Sequence, residues 1–197
     1  MPVRFLLLLA AFMFLMAFVQ VGVLAIAFEK LELSAHSAYL LFATILAGSM
    51  VNVPLFRMKG ESPGEEVSIH VNVGGCVVPV AFCIYLMGHH PLDFTRLSVA
   101  VLLVSLLCYR ISRQVPGVGI GMPVFLAPIA AAAVSYLLDA QDAPSLAYIS
   151  GTLGVLIGSD LLHLEDLRKM GAPYASIGGA GSFDGIFITG IVAVLLA

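Results

Sequence analysis

Apolar residues run along this chain in long blocks, not in the spaced stripe of a surface helix. The blocks lie near Phe5 to Phe28, Ser37 to Leu55, Val71 to Met87, Leu97 to Tyr109, Met122 to Leu138, Leu146 to Leu164 and Gly181 to Ala197. A helix needs about 20 apolar residues to cross a bilayer. The fourth and seventh blocks are short, and the others come close to that length. The pattern predicts an all-α, polytopic transmembrane helical bundle of about seven spans. The longest polar stretch, Arg57 to His70, turns at Pro63-Gly64. Residues 1–197 therefore form a single integral membrane domain. The first block has an alternative reading as a signal peptide cleaved near Ala25-Ile26-Ala27, but its apolar core is longer than such peptides carry. Neither reading alters the later spans.

Composition agrees with the blocks. Hydrophobic residues make up 60% of the chain and charged residues 11%, against roughly half and a quarter in a soluble domain. That excludes a disordered chain and a basic nucleic-acid binder. Cys76, Cys83 and Cys108 all lie inside apolar blocks, so they read as buried thiols and not as a disulfide framework. No cofactor is implied.

The charges add an orientation. With seven spans, one side collects Arg4, Arg57, Lys59, Arg110, Arg113, Arg168 and Lys169, and the other holds Lys30 and Arg96. The positive-inside rule then puts the N-terminus in the cytoplasm. A multi-pass protein of a prokaryotic cytoplasmic membrane is expected.

Ten of the twelve acidic residues fall in loops or at block ends; Asp160 and Asp184 fall inside blocks. An ionisable residue within a span is costly, which makes it a functional candidate. Asp160 is five residues before Glu165, or about 7 to 8 Å along a helix from the cytoplasmic edge. Asp184 lies a few residues into the last block, on the same side. Two carboxylates in low dielectric would share a proton. Such a pair can activate water as a catalytic dyad, or carry a proton or ion through a transporter. The bland alternative is helix capping, above all for Asp184 after its glycine-rich approach.

Other unusual residues gather at the same end. They are Asn52, then Asn72 with Gly74 and Gly75, then Gly119 in Pro116-Gly-Val-Gly-Ile-Gly-Met-Pro123, and finally Gly179, Gly181 and Ser182. Irregular backbone at membrane depth is tolerated where it lines a wet cavity. A polar cavity open to the cytoplasm is expected, with interhelical hydrogen bonding as the plainer role of the two asparagines. His163 follows Asp160 by three residues and is a weak metal-ligand candidate. Gly151, Gly154 and Gly158 share one helix face, and Gly181, Asp184 and Ile188 share another. Such small-residue faces suit close helix contact and could support a homo-oligomer.

Several of these segments resemble an uncharacterised prokaryotic family of small integral membrane proteins. They are Val71 to Gly75, Pro116 to Ile120, Gly151 to Gly154, Ile157 to Leu162 and Gly171 to Phe187. That resemblance implies a membrane location and no activity. A looser resemblance is to the intramembrane aspartyl proteases of the presenilin and signal-peptide-peptidase type. These have one Asp in the sixth span and Gly-x-Gly-Asp in the seventh, and here Asp160 and Gly179-Ala-Gly181 before Asp184 correspond. The chain departs from that pattern at Ser182 and Phe183, at Ser159, and in lacking a later Pro-Ala-Leu. The resemblance implies a transmembrane peptide substrate. A protease-like hydrolase, a small proton- or ion-coupled transporter, and a non-enzymatic membrane assembly protein are the three functions expected. The lipid bilayer is a partner in each, and nucleic acid in none.

Overall fold

The centre of the molecule is one buried helix. The computed structural model describes residues 22–60, 66–115, 119–167, 174–179 and 185–197. Helix α6, Ala143–Val155, begins with Pro144 in its first turn and has eleven buried residues of thirteen. A helix enclosed all round needs no apolar stripe, which is why its serines and glycines are spread over every face. Around it pack α3 (Val78–His89), α4 (Phe94–Ile111), α5 (Leu126–Leu138) and α8 (Gly185–Leu196). Asp93 caps α4 by accepting the Arg96 N–H at 2.9 Å. Two helices contain widened π-turns. Val73–Val77 leads into α3, and Leu156–Leu161 continues α6 before the short α7 (Leu164–Leu167). α4 lies close against the second π-turn because Gly158 has no side chain. A Cβ there would sit 2.2 Å from the Ser105 carbonyl oxygen.

One end of the bundle carries a sheet. β1 (Asn52–Lys59) pairs antiparallel with β2 (Glu66–Asn72), and β2 pairs parallel with β5 (Tyr174–Ile177). Val67 and Ile69 of β2 face inward onto a cluster with Ile177 and Val155. β1 is an edge strand, exposed along its length and bulged between Pro54 and Phe56. Both features discourage another strand from pairing with it. A second ribbon joins β3 (Arg113–Val115) to β4 (Gly119–Gly121). At the opposite end, α1 (Gly22–Lys30) meets α2 (Ala35–Gly48) at 115°. Lys30 Nζ donates to the carbonyls of Val194 at 3.3 Å and Leu195 at 3.1 Å, at the negative end of α8. Arg57, Lys59, Arg110 and Arg113 thus sit toward the sheet end, and Lys30 and Arg96 toward the other.

The expectation of an all-α bundle with seven spans is overturned. Among the described residues α4 is the one helix long and apolar enough to cross a bilayer, and α1 with α2 passes that test only as a bent pair. The apolar blocks are not continuous helices. The second block leaves its helix at Gly48 and becomes β1, and the third begins as β2. The fifth gives a helix of 13 residues and the last one of 12. Glu66 to Asn72 alternates buried apolar with more exposed polar positions, a strand period that a block count passes over. Residues 1–21 of the first block, with the expected cytoplasmic N-terminus, lie outside the described residues.

Candidate functional site

Asp160 sits in the π-turn that ends the central helix. Widened turns of this kind recur at functional sites. Its Oδ2 accepts the Gly178 N–H at 2.8 Å. Gly178 has φ +81°, a left-handed conformation, in the turn after β5, and it packs against Gly75 and Cys76 at the start of α3. The carboxylate therefore fastens the turn after β5 to the central helix. Beside it lies a cavity of about 180 Å³, lined by Ile120, Met122, Val155, Ser159, Asp160 and Gly185 among others. That volume holds a few water molecules or one small hydrated cation. Small-molecule pockets run to roughly 300–1,000 Å³.

Next to this cavity is a knot of polar side chains. Asn72 is fully buried. Its Oδ1 caps α3 by accepting the Gly75 N–H at 2.7 Å, and its Nδ2 donates to the Ser49 carbonyl at 2.8 Å and to Asn52 Oδ1 at 3.1 Å. Ser176 Oγ donates to the same Asn52 oxygen at 2.8 Å. One amide thus joins the end of α2, β1 and the entry to α3, and through Asn52 reaches β5. Gly74 and Gly75 serve the same junction. A Cβ on Gly74 would meet the Ile45 carbonyl oxygen at 2.0 Å, and one on Gly75 the Gly178 oxygen at 2.1 Å.

The remaining predicted residues separate. Gly179 (φ +56°) follows Gly178 in the turn. Gly119 opens β4 opposite Val115, and its neighbour Ile120 lines the cavity. His163 is buried with its ring 4.9 Å from that of Tyr109. Its Nδ1 lies 3.1 Å from the Gly158 carbonyl, which only accepts, so Nδ1 carries the proton and closes the widened turn. No group of three or more His, Cys, Asp or Glu side chains that could hold a metal occurs among the described residues. Asp184, Gly181 and Ser182 lie outside the described residues, although Gly185, next in sequence to Asp184, lines the cavity of Asp160. The glycine face of α6 is occupied within the chain: Gly154 by Val104, Gly158 by Ser105 and Cys108, Gly151 by Thr189.

Sequence reasoning missed Gly178 and Ser176, the two residues that tie β5 to Asp160 and Asn52. The signal available was the Tyr174 to Ile177 run before a Gly-Gly pair, a strand followed by a turn. The far end of the bundle holds a second polar group. Arg96 Nη1 donates to Asp139 Oδ2 at 2.6 Å. Burial alone would raise the Asp139 carboxyl, but the guanidinium and the N–H groups of Asp142 and Gln141 outweigh it and hold the group below the usual carboxylate range.

Residues 14–196 match the profile of DUF1614, described as a protein of unknown function. The chain belongs to the DUF1614 family. No curated protein and no solved structure matches it. Family membership carries no activity, so what this DUF1614 chain does must be argued from the Asp160 cavity itself.

Proposed function

We propose that this chain is a membrane-embedded protein of a prokaryotic cytoplasmic membrane in which Asp160 binds a proton or small cation, as part of a small ion-coupled transporter. The observation that carries the reading is the cavity: one carboxylate and one serine at the end of a buried helix, in a space too small for a peptide. Embedding is supported by the outer faces of the bundle. Only 28% of α4 is buried, and Ile84, Leu102, Leu106, Ile129 and Leu137 all point outward. A soluble monomer rarely exposes so much contiguous apolar surface. The basic residues at the sheet end would place Asp160 toward the cytoplasm.

The test is flux in reconstituted liposomes under an imposed pH or cation gradient. Flux is expected from the native chain, with at least a tenfold loss in Asp160→Asn. Native-level flux in Asp160→Asn, or none from the native chain across protons and the alkali cations, refutes the reading. A second reading, protease-like hydrolysis by an Asp160–Asp184 dyad, is favoured by one observation: Gly185 borders the Asp160 cavity. It predicts cleavage of a reporter span that both Asp160→Asn and Asp184→Asn abolish.

A further inference from the structure

Three hydroxyls at the α6–α8 crossing are buried without a hydrogen-bond partner: Tyr148 Oη, Thr152 Oγ1 and Thr189 Oγ1. All three residues are at least 99% buried. The two threonines pack reciprocally on glycines of the facing helix. A Cβ on Gly190 would lie 2.8 Å from Thr152 Oγ1 and 3.0 Å from the Tyr148 ring, and one on Gly151 would lie 3.1 Å from Thr189 Cγ2. A hydroxyl in a helix ordinarily satisfies itself by donating back one turn. Thr44 does so to Leu40 at 2.7 Å and Ser98 to Phe94 at 2.8 Å. Thr152 and Thr189 have the same option and do not take it. Leaving buried hydroxyls unmet is costly, and the usual remedy in protein interiors is an ordered water with several polar partners.

The location adds to the argument. Val155 and Ile188 form the wall of the Asp160 cavity. Thr152 lies three residues before Val155 on α6, and Thr189 directly follows Ile188 on α8. One layer of apolar side chains therefore separates the cavity from the three hydroxyls, which lie about 12 Å along α6 from Asp160.

We infer that the α6–α8 crossing is a buried water site formed by Tyr148, Thr152 and Thr189, and that it extends the Asp160 cavity toward the middle of the bundle. Each hydroxyl can donate to and accept from such a water. The site supplies the next hydrogen-bonding station for a proton leaving Asp160, a role that rests on the function proposed above; the water itself does not.

The first experiment measures thermal unfolding of the full chain in detergent for Thr152→Val, Thr189→Val and Tyr148→Phe. These changes keep the shape and remove the hydroxyl. At a dry site, deleting an unpaired hydroxyl raises Tm. At a hydrated site it strands the water, and Tm falls by roughly 2 to 4 °C for a chain of this size. The Thr152→Val/Thr189→Val double variant should then fall by less than the two singles together, because they share a partner. A rise or no change in both threonine variants overturns the proposal. Should the variants fail to fold, the native chain gives the second readout. Millisecond X-ray radiolysis in ¹⁸O-labelled water should label Tyr148 at a rate comparable to the exposed Tyr39 and Tyr136, and absence of label on Tyr148 also overturns it. Neither readout involves transport, so failure of the Asp160 reading is distinguishable from failure of the water site.

Discussion

Replacing Asn72 should unfold the junction below the sheet more than it alters any chemistry. Its side chain makes three hydrogen bonds while fully buried, one of them the cap of α3. A typical net value is about 1 kcal/mol per bond, and a lost N-cap costs about the same. Asn72→Ala also strands the Ser49 carbonyl and the Gly75 N–H, so the expected loss is about 3 kcal/mol. For a 197-residue chain that lowers Tm by roughly 6 to 12 °C. Circular dichroism melting in detergent measures it. Asn72→Asp is the sharper variant. It keeps an acceptor for Gly75 N–H but turns a carboxylate toward the Ser49 carbonyl and Asn52 Oδ1. It should melt at least as low as Asn72→Ala at neutral pH, and recover in part on acidification, when the protonated group can donate once. Asn52→Ala, on an exposed residue, should cost no more than about 1 kcal/mol. If Asn72→Ala melts within 2 °C of the native chain, roughly the measurement error, the junction is not what Asn72 is for, and a ligand-binding role regains ground.

Three further outcomes are expected. Gly158→Ala forces a methyl against the Ser105 carbonyl and should destabilise by about 1 to 3 kcal/mol, while Gly88→Ala, with open space around it, should not; equal stability of the two would refute the close α4–α6 contact. The Asp139 carboxyl is held below its unfolded value, so its stabilisation is present above that value, about pH 3.9, and is lost as pH falls through the folded one. Arg96→Gln should flatten that acid-side loss, and an unchanged acid limb in pH-dependent melting would show the pair contributes nothing. Finally, alkaline carbonate washing should leave the chain in the membrane pellet, and its release into the supernatant would refute embedding.

Much of the helical core could be seen in the chain itself. The fourth block, placed at Leu97 to Tyr109, lies inside α4, and α6 falls largely within the sixth. Those helices are made by local apolar runs, and local runs are what a sequence displays. The separation of Arg57, Lys59, Arg110 and Arg113 from Lys30 and Arg96 was legible too, because alternating chain direction depends only on counting turns. The sheet was not, since Val67, Ile69 and Val71 are as apolar as any helix block and only their period of two betrays them. Nor was the link between Asp160 and Gly178, made across 18 residues by a backbone N–H that no side-chain motif records. Asn72 was singled out for its rarity and assigned to a cavity. Its position three residues before Gly75 was the capping signal.

The widened turn at Leu156–Leu161 has a consequence for how the family can vary in length. Leu162 N–H bonds the Ile157 carbonyl five residues back, so this turn holds one residue more than a regular helix would use. A chain one residue shorter here could close an ordinary α-turn and keep all of α6. Everything beyond the deletion would then be rotated by about 100°, carrying the carboxylate off the cavity and away from the Gly178 amide. Single-residue deletions, ordinarily tolerated near a helix end, should here be as disruptive as removing the aspartate.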